Sequence, residues 1–288
     1  MDEDGFNLSN ARVAIVGLGL MGGSLALALR GKCAAIFGTG PNWATLETAL
    51  RQNIVSKADT DHAAILSQVD VILLAAPIPA ILALLARLPD LAPQPCIVLD
   101  IGSSKQAIVE AMATLPERFD PIGGHPICGK ERLSLANADA FLYHDAPFVL
   151  TALERTTTRA RACAEQIVKV IGARPVWMDA ATHDASIAVT SHLPYLLASA
   201  LTLATPPEAA PLIGPGFRSA SRLAATPSSM MLGVLQSNCE NVLEAMRRFR
   251  VQLEALETAL AEDDVETLEQ LLAAARNSHQ TLTQTLSE

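Results

Sequence analysis

Four segments carry residues whose types and spacing could do chemistry. Gly17-Leu-Gly19-Leu20-Met21-Gly22 sets three glycines at a spacing that accepts a dinucleotide. Gly17 would allow a tight turn and Gly19 a close approach of backbone N–H groups to a pyrophosphate. Gly22 would let a helix pack close to a strand. Leu20 and Met21 open that helix, whose positive end then faces the diphosphate. Asp100-Ile-Gly-Ser103-Ser-Lys105 puts small hydroxyl residues just after an apolar run. Gly123-Gly-His125-Pro-Ile-Cys-Gly-Lys-Glu131 offers an imidazole, which can take or give a proton near neutrality. A histidine flanked by glycines and proline reads as held on a rigid loop. Gly214-Pro-Gly-Phe-Arg218-Ser-Ala-Ser-Arg222 spaces two guanidinium groups four residues apart, on one face if helical and suited to carboxylates.

These residues need elements to position them. Apolar runs without polar alternation at 12–16, 34–37, 69–75 and 96–99 read as strands buried on both faces. Helical patterns at 20–30, 43–52, 78–87 and 104–115 separate them. Segments 147–151 and 175–178 add two strands around a helix at 155–171. The pattern predicts an α/β fold, a Rossmann-type doubly wound parallel sheet over residues 1–180. Beyond it the β signals stop. Helices are expected at 182–203, 217–225, 229–260 and 265–286, forming an all-helical substrate and dimerisation domain over 181–288. The apolar faces of those helices exceed what one small bundle needs, so a homodimer through them is expected.

Composition removes several function classes. Of the 288 residues 50% are hydrophobic and 18% charged, too apolar for disorder. A formal charge of −9 carries no basic footprint for nucleic acid. Five cysteines without CxxC spacing argue against a zinc site and fit a reducing compartment. The acidic start Met-Asp-Glu-Asp is unlike a signal peptide, and the uncharged stretch 71–86 is too short for a bilayer and holds Pro77 and Pro79. A cytoplasmic protein without metal or membrane partner is expected.

The cofactor's identity depends on the second strand. NAD-selective sites place an acid there to hold the ribose 2′-hydroxyl. Here the stretch is Phe37-Gly-Thr39-Gly-Pro-Asn42, with no acid before Glu47 and no base before Arg51. Thr39 and Asn42 could hydrogen-bond either sugar, and Pro77 borders the same crevice at the end of the third strand. NAD or NADP is expected, with a lean to NADP tolerance.

Taken in order, Gly17 to Ser24, Asp100 to Lys105, Gly124 to Glu131, His183-Asp184 with Ser191-His-Leu-Pro194, and Gly216 to Arg222 resemble the prephenate/arogenate dehydrogenase family. The resemblance runs from about residue 12 to Asn241. It implies oxidative decarboxylation of a cyclohexadiene carrying a C4 hydroxyl and a ring carboxylate, with hydride transfer to NAD(P), in tyrosine biosynthesis. His125 then matches the catalytic histidine that accepts the hydroxyl proton. Ser103 matches the serine that orients it beside the cofactor. Arg222 matches the anchor of the ring carboxylate, with Arg218 a second candidate, and Glu131 could pair with Arg222 across the empty cleft. His183 and His192 lie nine residues apart, on opposite sides of a straight helix. His192 is the preferred cleft residue, and His183 caps or packs. Tyr195 stands where the family often has histidine, and Met231 where it commonly has tryptophan. Both departures bear on whether the substrate is prephenate or arogenate. His62, His144 and His279 read as surface residues.

Two other readings fit parts of this pattern. β-Hydroxyacid dehydrogenases and imine reductases share the glycine motif and the α/β-plus-helix layout. The former use a lysine beyond the first domain, and this chain has none beyond Lys169. A non-catalytic dinucleotide-sensing module would bind cofactor without turnover and leaves His125 and Arg222 unexplained.

Overall fold

The computed structural model describes residues 6–130 and 134–284. Eight strands form one sheet in the order β3-β2-β1-β4-β5-β6-β7-β8. They are β1 (Arg12–Val16), β2 (Ala35–Thr39), β3 (Lys57–Asp59), β4 (Val71–Leu74), β5 (Cys96–Asp100), β6 (Phe119–Pro126), β7 (Pro147–Ala152) and β8 (Arg174–Trp177). All neighbours are parallel except β6 and β7. Between them run α1 (Leu20–Leu29), α2 (Trp43–Arg51), α3 (His62–Leu66), α4 (Ile78–Leu91), α5 (Gln106–Ala113) and α6 (Thr158–Val170). The predicted doubly wound sheet is therefore present. Its central strands β1, β4 and β5 are almost wholly buried, because helices cover both faces and leave no solvent side for polar alternation.

Two strands escape the sequence patterns. β3 is three residues long and begins at an exposed lysine. β6 contains Gly123, Gly124 and Pro126, poor strand formers; its first half pairs with β5 and this second half is held by β7. His125 consequently sits inside a strand, opposite Val149, and not on a loop.

Helices follow from Ala180: α7 (Ala180–Ile187), α8 (Leu193–Ala204), α9 (Pro215–Ser221), α10 (Ser228–Ser237), α11 (Cys239–Ala261) and α12 (Val265–Gln284). The single helix expected over 229–260 breaks at Asn238. Between α7 and α8, Ala188–His192 forms a wide π turn. Besides the stretch 71–86 considered from the sequence, the continuous helix Ala180–Ala204 is long and apolar enough to cross a bilayer by length and composition. It carries His183, Asp184 and His192 into a buried polar network, described below, that a lipid-facing helix would leave unsatisfied.

The chain forms two compact units, Met1–Cys239 and Glu240–Glu288. The change from sheet to helix falls at 180, but the helices up to α10 belong to the sheet's unit. Hydrogen bonds explain why. Lys105 and Gln106 N–H groups donate to Asp184, and Ser104 bonds Ser237. The second unit exposes rows of large apolar side chains, Met246, Leu253 and Leu260 on α11 and Val265 and Leu272 on α12.

Candidate active site

The glycine turn lies where β1 meets α1, beside the end of β4. Gly17 has φ +95°, and a Cβ there would stand 2.5 Å from the Ala75 carbonyl oxygen. One at Gly22 would lie inside the Gly17 backbone. Only glycine fits both positions, so turn, helix and strand close into the cradle a pyrophosphate needs. Gly19 is the N-cap of α1 with no side chain to satisfy the first N–H groups, and that end can receive an anion. Pro77 caps α4 across the crevice. The residues present fit a dinucleotide.

Thr39 is placed differently from expectation. It is fully buried, and its hydroxyl donates to the Asp59 carbonyl at 2.8 Å. Asn42 spends its side-chain oxygen capping α2. His62, read as a surface residue, is half-buried with Nδ1 2.8 Å from the Thr39 hydroxyl.

A cavity of about 800 Å³ opens next to the cradle. Of the predicted site residues, Leu20, Met21, Ser103, His125, His192, Tyr195 and Arg222 line it, as does Met231. Arg218 does not. It is exposed on α9, which ends at Ser221, where the chain passes at Arg222 into a 3₁₀ turn. Glu131 lies outside the described residues. Met21 is held in place by the Tyr143 hydroxyl, which donates to its carbonyl at 2.6 Å.

His125 is tied into a buried chain of donors and acceptors. Its Nδ1 lies 2.9 Å from His183 Nε2, and His183 Nδ1 lies 2.7 Å from Asp184 Oδ1. Asp184 also accepts the Lys105 and Gln106 N–H groups at 2.7 and 2.9 Å, at the start of α5. An ionised carboxylate only accepts, so the His183 proton is on Nδ1 and its Nε2 is an acceptor. His125 must then donate from Nδ1, which leaves its Nε2 with a free lone pair. Burial, reinforced by His183, Lys105 and His192, holds the His125 imidazole well below the usual histidine range. It is therefore neutral and able to accept a proton at neutral pH. From the sequence alone His183 is expected only to cap or pack. Its Asp neighbour at 184 was the available signal, but the partner across 58 residues was not visible.

The π turn resolves the second histidine. On a straight helix His183 and His192 would face opposite ways; the wider turn shifts the phase, and His192 lines the cavity. The Asn238 amide donates to the Asp184 carbonyl at 2.7 Å and to His192 Nδ1 at 3.3 Å. His192 is thereby a donor at Nε2, a buried atom with no partner among the described residues. Burial pushes its pKa down to about 4, so it enters binding as a neutral donor.

Behind Ser103 sits a pair the sequence reading did not single out. Lys105 Nζ contacts Asp100 Oδ2, both side chains wholly buried. Burial pushes the carboxyl up and the amine down, each opposed by its partner. Asp100 also accepts the N–H groups of Gly102 at 2.8 Å and Gly124 at 3.2 Å. This carboxylate ties the Ser103 loop to the strand that carries His125.

Two family profiles match the chain: "Prephenate dehydrogenase, nucleotide-binding domain" over residues 25–177 and "Prephenate dehydrogenase, dimerization domain" over 179–274. A prephenate dehydrogenase of Bacillus subtilis is 27% identical over 277 residues, covering 92% of this chain and 74% of that protein. Among solved structures, prephenate dehydrogenase from Aquifex aeolicus in complex with hydroxyphenyl propionate and NAD+ is 27% identical with a TM-score of 0.87, covering 96% of this chain and 99% of that one. Synechocystis arogenate dehydrogenase is 29% identical with a TM-score of 0.81, covering 94% and 99%. An imine reductase from a Pseudomonas species, 16% identical with a TM-score of 0.53, is alike in fold alone.

Proposed function

The chain belongs to the prephenate dehydrogenase family, and from that premise we propose how its cavity carries out the oxidative decarboxylation of prephenate or arogenate. One observation carries the reading. The Asp184–His183–His125 chain leaves an acceptor nitrogen on His125 in a cavity that Arg222 also lines. The bound nicotinamide supplies the hydride acceptor. His125 Nε2 takes the C4 hydroxyl proton as the hydride departs, and the imidazolium so formed is met by the His183 lone pair and the Asp184 carboxylate behind it. Ser103 orients the hydroxyl. Arg222 grips the ring carboxylate until carbon dioxide leaves, a loss that aromatisation drives without a metal. His192 Nε2–H donates to an acceptor on the substrate side chain, beside Tyr195 and Met231.

Residues 1–180 hold the dinucleotide on Gly17, Gly19, Gly22 and Pro77, and 181–288 complete the substrate site and carry a homodimer interface through the exposed apolar rows of α11 and α12. The loop after β2 has no acid to repel a 2′-phosphate, and we read the chain as accepting NADP as well as NAD. The test is a two-by-two grid of prephenate or arogenate with NAD+ or NADP+, followed by reduced-nicotinamide absorbance. Turnover in at least one combination, lost in His125→Asn, is the expected result. Silence in all four with cofactor binding intact would refute the reading.

A further inference from the structure

Resting on the reading of the chain as an NAD(P) enzyme, we propose that His62 reads the 2′ substituent of the cofactor's adenosine ribose. Thr39 ends β2, about 20 residues beyond Gly19, where NAD-selective sheets carry the acid that holds the ribose. Its hydroxyl has a single proton, which goes to the Asp59 carbonyl. The 2.8 Å contact with His62 must therefore be an Nδ1–H donating to Thr39 Oγ1. This fixes the imidazole against the end of β2 and makes Nε2 its remaining polar atom. Gly17 N–H donates to the Thr39 carbonyl at 2.8 Å, so the same residue also touches the pyrophosphate turn.

Nε2 serves two cofactors through one proton. Neutral, it accepts a hydrogen bond from the 2′-hydroxyl of NAD. Protonated, it donates to the 2′-phosphate of NADP as a charge-assisted bond. The charged groups around this corner are Arg87 on α4, Asp59 and Lys57 on β3, and Asp61 capping α3. Burial and Arg87 lower the His62 pKa against the opposing pull of Asp61, so the free protein holds His62 neutral at neutral pH. NADP then binds with uptake of a proton and NAD binds without one.

The test is calorimetric titration of NAD+ and of NADP+ into the full-length protein between pH 7 and 8.5, in buffers of differing ionisation heat. Wild type should take up a proton with NADP+ only, and its NADP+ affinity should fall with rising pH by up to about tenfold per unit. His62→Asn retains a donor for Thr39 but lacks Nε2. It should lose the proton uptake and lower the NADP+/NAD+ affinity ratio about tenfold. His62→Arg should raise that ratio and remove its pH dependence. Wild type without proton uptake, or an unchanged ratio in His62→Asn, would overturn the role of His62. A wild type that binds neither dinucleotide would instead overturn the cofactor reading beneath it.

Discussion

Replacing His183 by leucine removes the acceptor of the His125 Nδ1–H bond while keeping a buried side chain of similar volume. A neutral hydrogen bond is worth about 1 kcal/mol and one to a charged group about 1.5–3 kcal/mol. The 2.9 Å bond to His125 strengthens as that ring gains its proton, so the loss specific to the transition state is about 1–2 kcal/mol. That corresponds to roughly 5–30-fold in kcat. Leucine also leaves the His125 tautomer unset, and the combined fall should be on the order of 10–100-fold. Asp184 keeps its two backbone donors, so α5 stays capped. Steady-state kinetics should show KM within about threefold of wild type. His183→Gln, whose amide oxygen can reach the place of Nε2, should restore most of kcat. The reasoning is refuted if folded His183→Leu, with normal cofactor affinity, turns over at the wild-type rate, or if Gln and Leu lose equally.

Other expectations follow from the same geometry. Lys105→Met leaves the Asp100 carboxylate buried and unpaired and should cost about 3–5 kcal/mol in urea unfolding. Gly17→Ala forces a side chain onto the Ala75 backbone at positive φ, so calorimetry should find dinucleotide binding lost. Arg222→Ala should raise KM by about 100-fold or more, as expected for losing the partner of a bound carboxylate. His125 stays neutral below the ordinary histidine range, so the acid limb of kcat should lie below pH 6.5. His192 adds a stability effect of stated sign. As pH falls from 6.5 towards 4 the unfolded chain takes up a proton that the folded one refuses, so stability declines by up to about 3 kcal/mol, with no contribution above 6.5. An unfolding free energy flat across that window would contradict it.

The sequence made legible what depends on local pattern. The apolar run Arg12–Val16 followed by Gly17, Gly19 and Gly22 announces strand, turn and helix from neighbouring residues alone. His125 announced its chemistry but not its place, because Gly123, Gly124 and Pro126 become a strand only through pairing with β7. His183, Asp100 and His62 acquire meaning from partners 58, 5 and 23 residues away. The Asp100–Lys105 pair was close enough in sequence to suspect, yet nothing local says that both side chains turn inward. Arg218 and Arg222 have the same residue type and lie four positions apart, yet only Arg222 lines the cavity, a difference no local pattern announces.

The π turn at Ala188–His192 also sets a constraint on chain length. A wide turn of this kind stores one surplus residue within an otherwise α-helical run. Deleting one residue from 188–191 would straighten the helix with the phase of its two ends kept, whereas inserting one there would turn one side by about 100° against the other. With α7 pinned by His183 and Asp184, that rotation would fall on His192, Pro194 and Tyr195, carrying them out of the cavity. Side chains on the outer face, such as the exposed Val189, are free to vary. Added residues between Asp184 and His192 are not tolerated in the same way, and a library of single-residue insertions should lose function there far more often than one of deletions within 188–191 or of substitutions.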